Sequence, residues 1–518
     1  MQHGAHALDT RAGRTGIPRI AGLVALVLAV AAIAIAAVEI TGSTGPAGVA
    51  VRTREPASVA SVLSGSPAAV SSGLTRLLLS SAPSAVVADA ASTADVARAS
   101  AIARRAHAPL LLISGNGSKA AQVSAIRPTI KALDPRALLA IGVAAQTLTA
   151  GLPGINVVTS ASGLPAAAQA PMRQVTVLVH DSHSGAAAAL AMAAATTAQV
   201  AGARVIYLPG FDPRGDPAAI RELAATRPLR VIGVGAQFGP ASLLASKVAV
   251  AETGVQLPGG GQVLFPMRRI VALYGTPGVR ALGALGQQGL AATITRARAA
   301  AAPYSALGRV PVIPAFEIIA TIALGSPGPD GTYSYETSVA ALRPWVLAAI
   351  KAGMYVTLDL QPGRANFLTQ AEHYQALLKL PDVGLALDPE WKLGLRQRPL
   401  RQIGSVRIGE VNSVVTWLAG LTARFRLPQK LLELHEFKLT MIRDIQRLDT
   451  RHSDLAIVVN MDGQGAPETK AQTWAAVIGG APKGVFFGWK DFYVKDTPML
   501  GPRATLNHQP EPVLISYQ

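Results

Sequence analysis

The segments YVTLDLQPGR (355–364), VGLALDPEW (383–391), LLELHEF (431–437), AIVVNMDGQG (456–465) and GVFFGWKDF (484–492) decide the fold. Each is a short apolar run that ends in a carboxylate or another chemically able side chain. They carry Asp359 and Arg364, then Asp388, Glu390 and Trp391, then His435 and Glu436, then Asp462, then Trp489, Lys490 and Asp491. Upstream, RRIVALYG (268–275) ends at Tyr274, and FEIIA (316–320) carries Glu317. SVRIGEVN (405–412) adds Glu410. Strands at 269–274, 311–317, 354–360, 383–388, 404–410, 430–436, 455–461 and 484–489 follow from these runs, with helical stretches such as 338–353 and 368–380 between them. Parallel strands alternating with helices, with polar groups at successive carboxyl ends, predict a (β/α)8 barrel with one active site at its mouth. An open doubly wound sheet has the same element order and is the alternative.

Within LALDPEW, strand periodicity puts Asp388 and Glu390 on one side, facing the mouth. Two close carboxyls do not ionise together easily, so one keeps its proton near neutral pH and can serve as a general acid. Asp462 and Glu317 are candidates for the second carboxylate, acting as nucleophile or base. Asp359 and Glu410 are placed to orient sugar hydroxyls, Arg364 to clamp an anionic group, Lys490 to bind substrate and His435 to move protons. Tyr274, Trp391 and Trp489 are candidate stacking platforms for a sugar ring. The D-x-E at this strand end resembles that of family 18 chitinase-like and family 25 lysozyme-like barrels. That resemblance implies Glu390 as proton donor and Asp388 as its partner or as an acetamido-binding group. The longer DxxDxDxE signature is missing, and the first strand ends in Tyr274 rather than Asp.

Upstream of the barrel the chain divides into a cytoplasmic tail (1–19), a transmembrane helix or signal anchor (20–38), a Ser/Pro/Ala-rich linker (39–69) and an α/β domain (70–260), with the barrel at 261–518. The uncharged run 20–38 is 19 residues long, enough to cross most of a hydrocarbon core, and Arg11, Arg14 and Arg19 precede it. By the positive-inside rule the bulk of the chain is extracytoplasmic. Small residues at 34–37 leave a cleaved signal peptide, and so a secreted protein, as the alternative.

Residues 70–245 hold an internal repeat with an offset of 90 residues: 85–115 matches 175–210 in layout, a strand, an Ala-rich helix and a second strand, ending in Gly115 or Gly210. A Rossmann-like parallel sheet follows. HAPLLLISG (107–115) and LLAIGVAA (138–145), and more loosely IYLPG (206–210) and VIGVG (231–235), resemble the type 2 cell-wall-binding repeat. The resemblance implies non-covalent binding of an anionic wall polymer. The segments FEIIAT, GPDGTYS, LDLQPGR, LALDPEW, LPQKLLxLHxF and GWKDF together resemble a barrel-like domain of exported bacterial proteins. This second resemblance implies location and fold, with no reaction attached.

Composition narrows the rest. A net charge of +17 suits anionic partners, while the scattered placement of the basic residues argues against nucleic acid. With no cysteine there is no disulfide, thiol nucleophile or thiolate zinc site. HDSH (180–183) lacks a third ligand, and GxGxxG is absent after the first strand of the α/β domain. A metal-dependent phosphodiesterase or deacetylase using Glu317, Asp359, Asp462 and His435 lacks HxH or HD pairs in the barrel, so neither a metal nor a cofactor is expected. The sequence therefore points to a membrane-anchored, wall-facing glycoside hydrolase-like barrel, or to a non-catalytic glycan-binding surface protein of the same architecture.

Overall fold

A computed structural model describes residues 50–113, 118–143, 145–165, 167–168, 171–308 and 310–518. The barrel strands are β1 (Arg269–Gly275), β2 (Val312–Ala323), β3 (Tyr355–Leu360), β4 (Val383–Leu387), β5 (Lys430–His435), β6 (Leu455–Met461), β7 (Phe486–Asp491) and β8 (Leu514–Tyr517). Each is parallel to the next, and β1 pairs with both β2 and β8, so the sheet closes. Closure excludes the open doubly wound sheet. Six strands are buried along their whole length because helices cover one face and the filled interior covers the other.

Two apolar layers follow from the period of 2 along each strand. Val271, Leu273, Phe316, Ile318, Val356, Leu358, Leu432 and Leu434 face outward into the core shared with the helices. Ile270, Ala272, Ala315, Tyr355, Leu431, Ala456, Val458 and Leu514 face inward and pack together in the lower half, plugged from beneath by Leu257, Leu264 and Phe265. Continuing the inward parity upward gives Tyr274, Glu317, Asp359, Asp388, Glu433, His435, Asn460, Asp462, Lys490 and Ser516. The barrel interior is thus oily below and ionisable above.

Two strands differ from the sequence expectation. The segment 404–410 is not a barrel strand: Val406–Arg407 pairs with Ile442–Arg443 outside the barrel, and Ile408–Arg424 is a helix. Its buried Ile408, Val411, Val414, Val415 and Leu418 recur at helical spacing, a pattern that a short window around Glu410 cannot show. The eighth strand is Leu514–Tyr517, whose polar inward residue is a serine rather than an acid.

The amino-terminal region forms two four-stranded parallel sheets. In one the order is Leu110–Ile113, Ser84–Asp89, Ala137–Ile141, Val157–Val158. In the other it is Arg204–Leu208, Val175–His180, Arg230–Val234, Ala60–Leu63. The shared order of the first three strands bears out the internal repeat and the Rossmann-like parallel sheet. The fourth place in the second sheet is filled by a strand from before the first copy, so residues 60–63 of the expected linker are structural. The expected Gly115 strand end and the apolar run 20–38 lie outside the described residues. Among the described residues no helix is long and apolar enough to cross a membrane. Buried Arg214, held by Asp212, donates to Ser453 O at 3.1 Å and ties this region to the barrel.

Gly384 on β4 faces inward, and a Cβ there would sit 2.8 Å from Leu431 O and 3.0 Å from the Tyr355 hydroxyl oxygen. Backbone on one side leaves little room to relax. Gly384→Ala is expected to destabilise the barrel by about 1–3 kcal/mol, as overpacked cores do, measured by urea unfolding.

Candidate active site

His435, on the inward face of β5, is the hub of the upper barrel. Its Nδ1 lies 3.1 Å from Asp462 Oδ2. Its Nε2 lies 3.0 Å from Glu317 Oε1, 3.5 Å from Glu433 Oε1 and 3.8 Å from Asp359 Oδ1. The Tyr274 hydroxyl donates to Asp359 Oδ2 at 3.0 Å and accepts from Gln361 Nε2 at 3.1 Å. Asn460 Nδ2 donates to Glu433 Oε1 at 2.6 Å. Lys490 Nζ stands 3.4 Å above the centre of the Tyr274 ring, a cation–π contact inside the barrel.

Above this layer opens a cleft of about 230 Å³, walled by Tyr274, Gln361, Asp388, Glu390, Trp391, Asp462 and Lys490 among others. Asp388, Glu390 and Asp462 each direct a carboxyl oxygen to within 4.8 Å of the other two. The D-x-E does not meet by strand alternation. Pro389–Trp391 is a 3-10 turn, and Asp388 Oδ1 caps it by accepting from Glu390 N at 3.2 Å. The turn folds Glu390 back over the strand end, so the pair still shares the cleft.

Six carboxyls (Glu317, Asp359, Asp388, Glu390, Glu433, Asp462) surround two cations, His435 and Lys490. Six anions cannot coexist there, and protons make up the balance. Burial, then the Asp462 charge, pushes Glu390 up to about 7, against the pull of Lys490 and His435. Burial raises Asp359 to about 6, with His435 opposing. Asp388 and Glu433 are held well above the carboxylate range, mainly by burial and then by Asp359 and Glu317 respectively. Burial and Lys490 work against the His435 imidazolium, but Asp462 and Glu317 outweigh them and raise its pKa well above the ordinary value. Burial also opposes the Lys490 ammonium, and Glu317, Asp462 and Asp388 reverse that, so it too is raised.

Of the residues expected from sequence, Tyr274, Asp388, Glu390, Trp391, Asp462 and Lys490 line the cleft, and Glu317, Asp359 and His435 lie buried beneath it. Three do not join them. Glu410 sits in a first helical turn, bound to Lys392 Nζ at 2.8 Å and to Phe367 N at 2.9 Å, where it braces a loop. Arg364 lies over the Tyr333 ring at 4.5 Å and donates to Gln397 O at 3.1 Å. Trp489 is fully buried on the outward face of β7, packed on Trp474 and His508, with Nε1 donating to Asp491 Oδ1 at 2.7 Å. It is a core residue and not a stacking platform, because its parity is opposite to that of Lys490. Glu433, Asn460, Gln361 and Gln464 were missed. Glu433 carried a readable signal, standing two residues before His435 on the same strand face.

A closed parallel (β/α)8 barrel with an ionisable cleft at the carboxyl ends of its strands is therefore the class that fold and site define. Compared with known proteins, the chain matches no protein-family model, no curated protein and no solved structure.

The raised pKa of Glu390 has a consequence for stability. Between the ordinary glutamate value of 4.5 and about 7, the folded state binds a proton that the unfolded chain has released. This contribution is fully present below 4.5 and is lost as pH rises through about 7. Glu390→Gln is expected to gain stability relative to wild type as pH rises from 4.5 to 8, seen as a diverging difference in urea midpoints measured across that range.

Proposed function

We propose that this chain is a membrane-anchored, wall-facing glycoside hydrolase, with Glu390 as general acid. The observation that carries the reading is a carboxyl in an open cleft, raised to about 7 by burial and the Asp462 charge, with a second carboxyl oxygen within 4.8 Å of it. Retaining glycosidases place their two carboxyls about 5–5.5 Å apart and inverting ones about 6.5–9.5 Å, and the mechanism below is written for the retaining case.

In this reading Glu390 gives its proton to the glycosidic oxygen as the bond to the anomeric carbon breaks. Asp462 attacks that carbon and forms a covalent glycosyl ester. The leaving sugar departs with the proton. Water then attacks the anomeric carbon, Glu390 takes the water's proton, the bond from that carbon to Asp462 breaks, and Asp462 is released as carboxylate. Asp388 caps the turn that holds Glu390 in place and keeps a proton to donate to a substrate oxygen. Trp391 offers a ring at the cleft wall, and Lys490, seated over the Tyr274 ring, offers a positive charge to an anionic sugar. His435 anchors Asp462 through Nδ1.

The amino-terminal sheets, through their likeness to wall-binding repeats, would hold the barrel on an anionic wall polymer and raise its effective concentration. The run 20–38 would anchor the chain in the membrane with the barrel outside, or be cleaved on export.

Purified wall glycan incubated with the protein tests this through the release of reducing ends. Glu390→Gln is expected to lower turnover by about 10²–10⁴-fold while leaving co-sedimentation with the wall intact. The wild-type rate is expected to fall above pH about 7, where Glu390 loses its proton. Wall binding without release by either protein would make the barrel a glycan-binding module instead.

A further inference from the structure

Beneath the cleft, Glu317, Glu433 and His435 direct one ligand atom each to within 4.8 Å of one another, and all three are fully buried. We propose that this inner cluster is a binding site for a divalent transition ion, zinc foremost, held by Glu317, Glu433 and His435. The proposal does not depend on Glu390 acting as an acid.

The first argument is unmet bonding capacity. Both oxygens of Glu317, Glu433 Oε2, Asp359 Oδ1 and His435 Nε2 are buried and lack an aligned hydrogen-bond partner. Buried polar atoms in folded proteins are nearly always satisfied, and this many around one point calls for a ligand among them.

The second is geometry. Ligands about 2.0–2.2 Å from a tetrahedral zinc ion lie about 3.4 Å from one another. From His435 Nε2 the distances are 3.0 Å to Glu317 Oε1 and 3.5 Å to Glu433 Oε1. Both are close to that spacing, and the ligand atoms of all three residues lie within 4.8 Å of one another. Calcium needs six to eight oxygens at longer range, and magnesium a near-octahedral shell rich in water. One imidazole and two carboxylates, all fully buried, suit neither.

The third is the second sphere. Metal-bound histidines usually give their other ring N–H to a carboxylate, which fixes the tautomer and turns the free nitrogen to the ion. His435 Nδ1 has that partner in Asp462 at 3.1 Å. Binding would displace the Nε2 proton to solvent.

The test uses the full-length chain, stripped with a chelator, dialysed against zinc and assayed for bound metal. One zinc per chain is expected for wild type and for His183→Ala, which alters the HDSH segment outside the barrel. Glu433→Gln is expected to lose bound zinc, and Asp462→Asn to bind about 10–100-fold more weakly through loss of the second-sphere carboxylate. Cobalt in place of zinc should give the visible absorption of a tetrahedral nitrogen–oxygen site, a readout that stands even if Glu433→Gln fails to fold. A wild type that binds no zinc, or zinc lost in His183→Ala but kept in Glu433→Gln, would overturn the proposal.

Discussion

Everything in the upper barrel depends on one electrostatic constraint: His435 and Lys490 are buried among more carboxyl groups than they can neutralise. Taking charged groups out of water is costly unless they are paired, and here pairing is incomplete. Protons on Asp388, Glu433 and Glu390 supply much of the remaining balance. The site is therefore an acid reservoir by construction, and the groups nearest solvent are the ones able to release protons to a substrate.

The lower half of the barrel makes that arrangement affordable. Its inward layer of Ile, Leu, Val, Ala and Tyr is closed beneath by Leu257, Leu264 and Phe265. This packed apolar layer separates the ionisable layer from solvent below, and the cleft opens onto it from above. Placing the polar layer at the carboxyl ends of the strands leaves loops free to supply Glu390, Trp391 and Gln464 without disturbing the packed core.

Much of this was legible in the chain. Seven of the eight barrel strands were readable as apolar runs, because a strand buried on both faces must be nearly continuous in hydrophobic residues. Nine of the candidate residues meet in or under one cleft: a parity of 2 sends seven of them to the same side, and the 3-10 turn after Asp388 brings Glu390 and Trp391 to it. The misreadings have local causes. Glu410 follows a short apolar run, but that run begins a helix with spacing of three and four. Trp489 is adjacent to Lys490, so the same parity that turns Lys490 inward turns Trp489 outward. Leu514–Tyr517 has no acid to draw attention, and Ala60–Leu63 lies in a Ser/Pro-rich stretch that reads as a tether until Arg230–Val234 pairs with it.

The sequence by itself determined the strand and helix order, the repeat in the amino-terminal region and the identity of nearly every ionisable group in the site, because these follow from local periodicity and residue chemistry. Tertiary structure alone decided that β1 pairs with β8, that residues 60–63 complete a sheet more than a hundred residues downstream, and that Glu317, Glu433 and His435 meet around one point. Those facts rest on contacts between segments far apart in the chain, and on how many charges share one low-dielectric chamber. No single stretch of sequence encodes either.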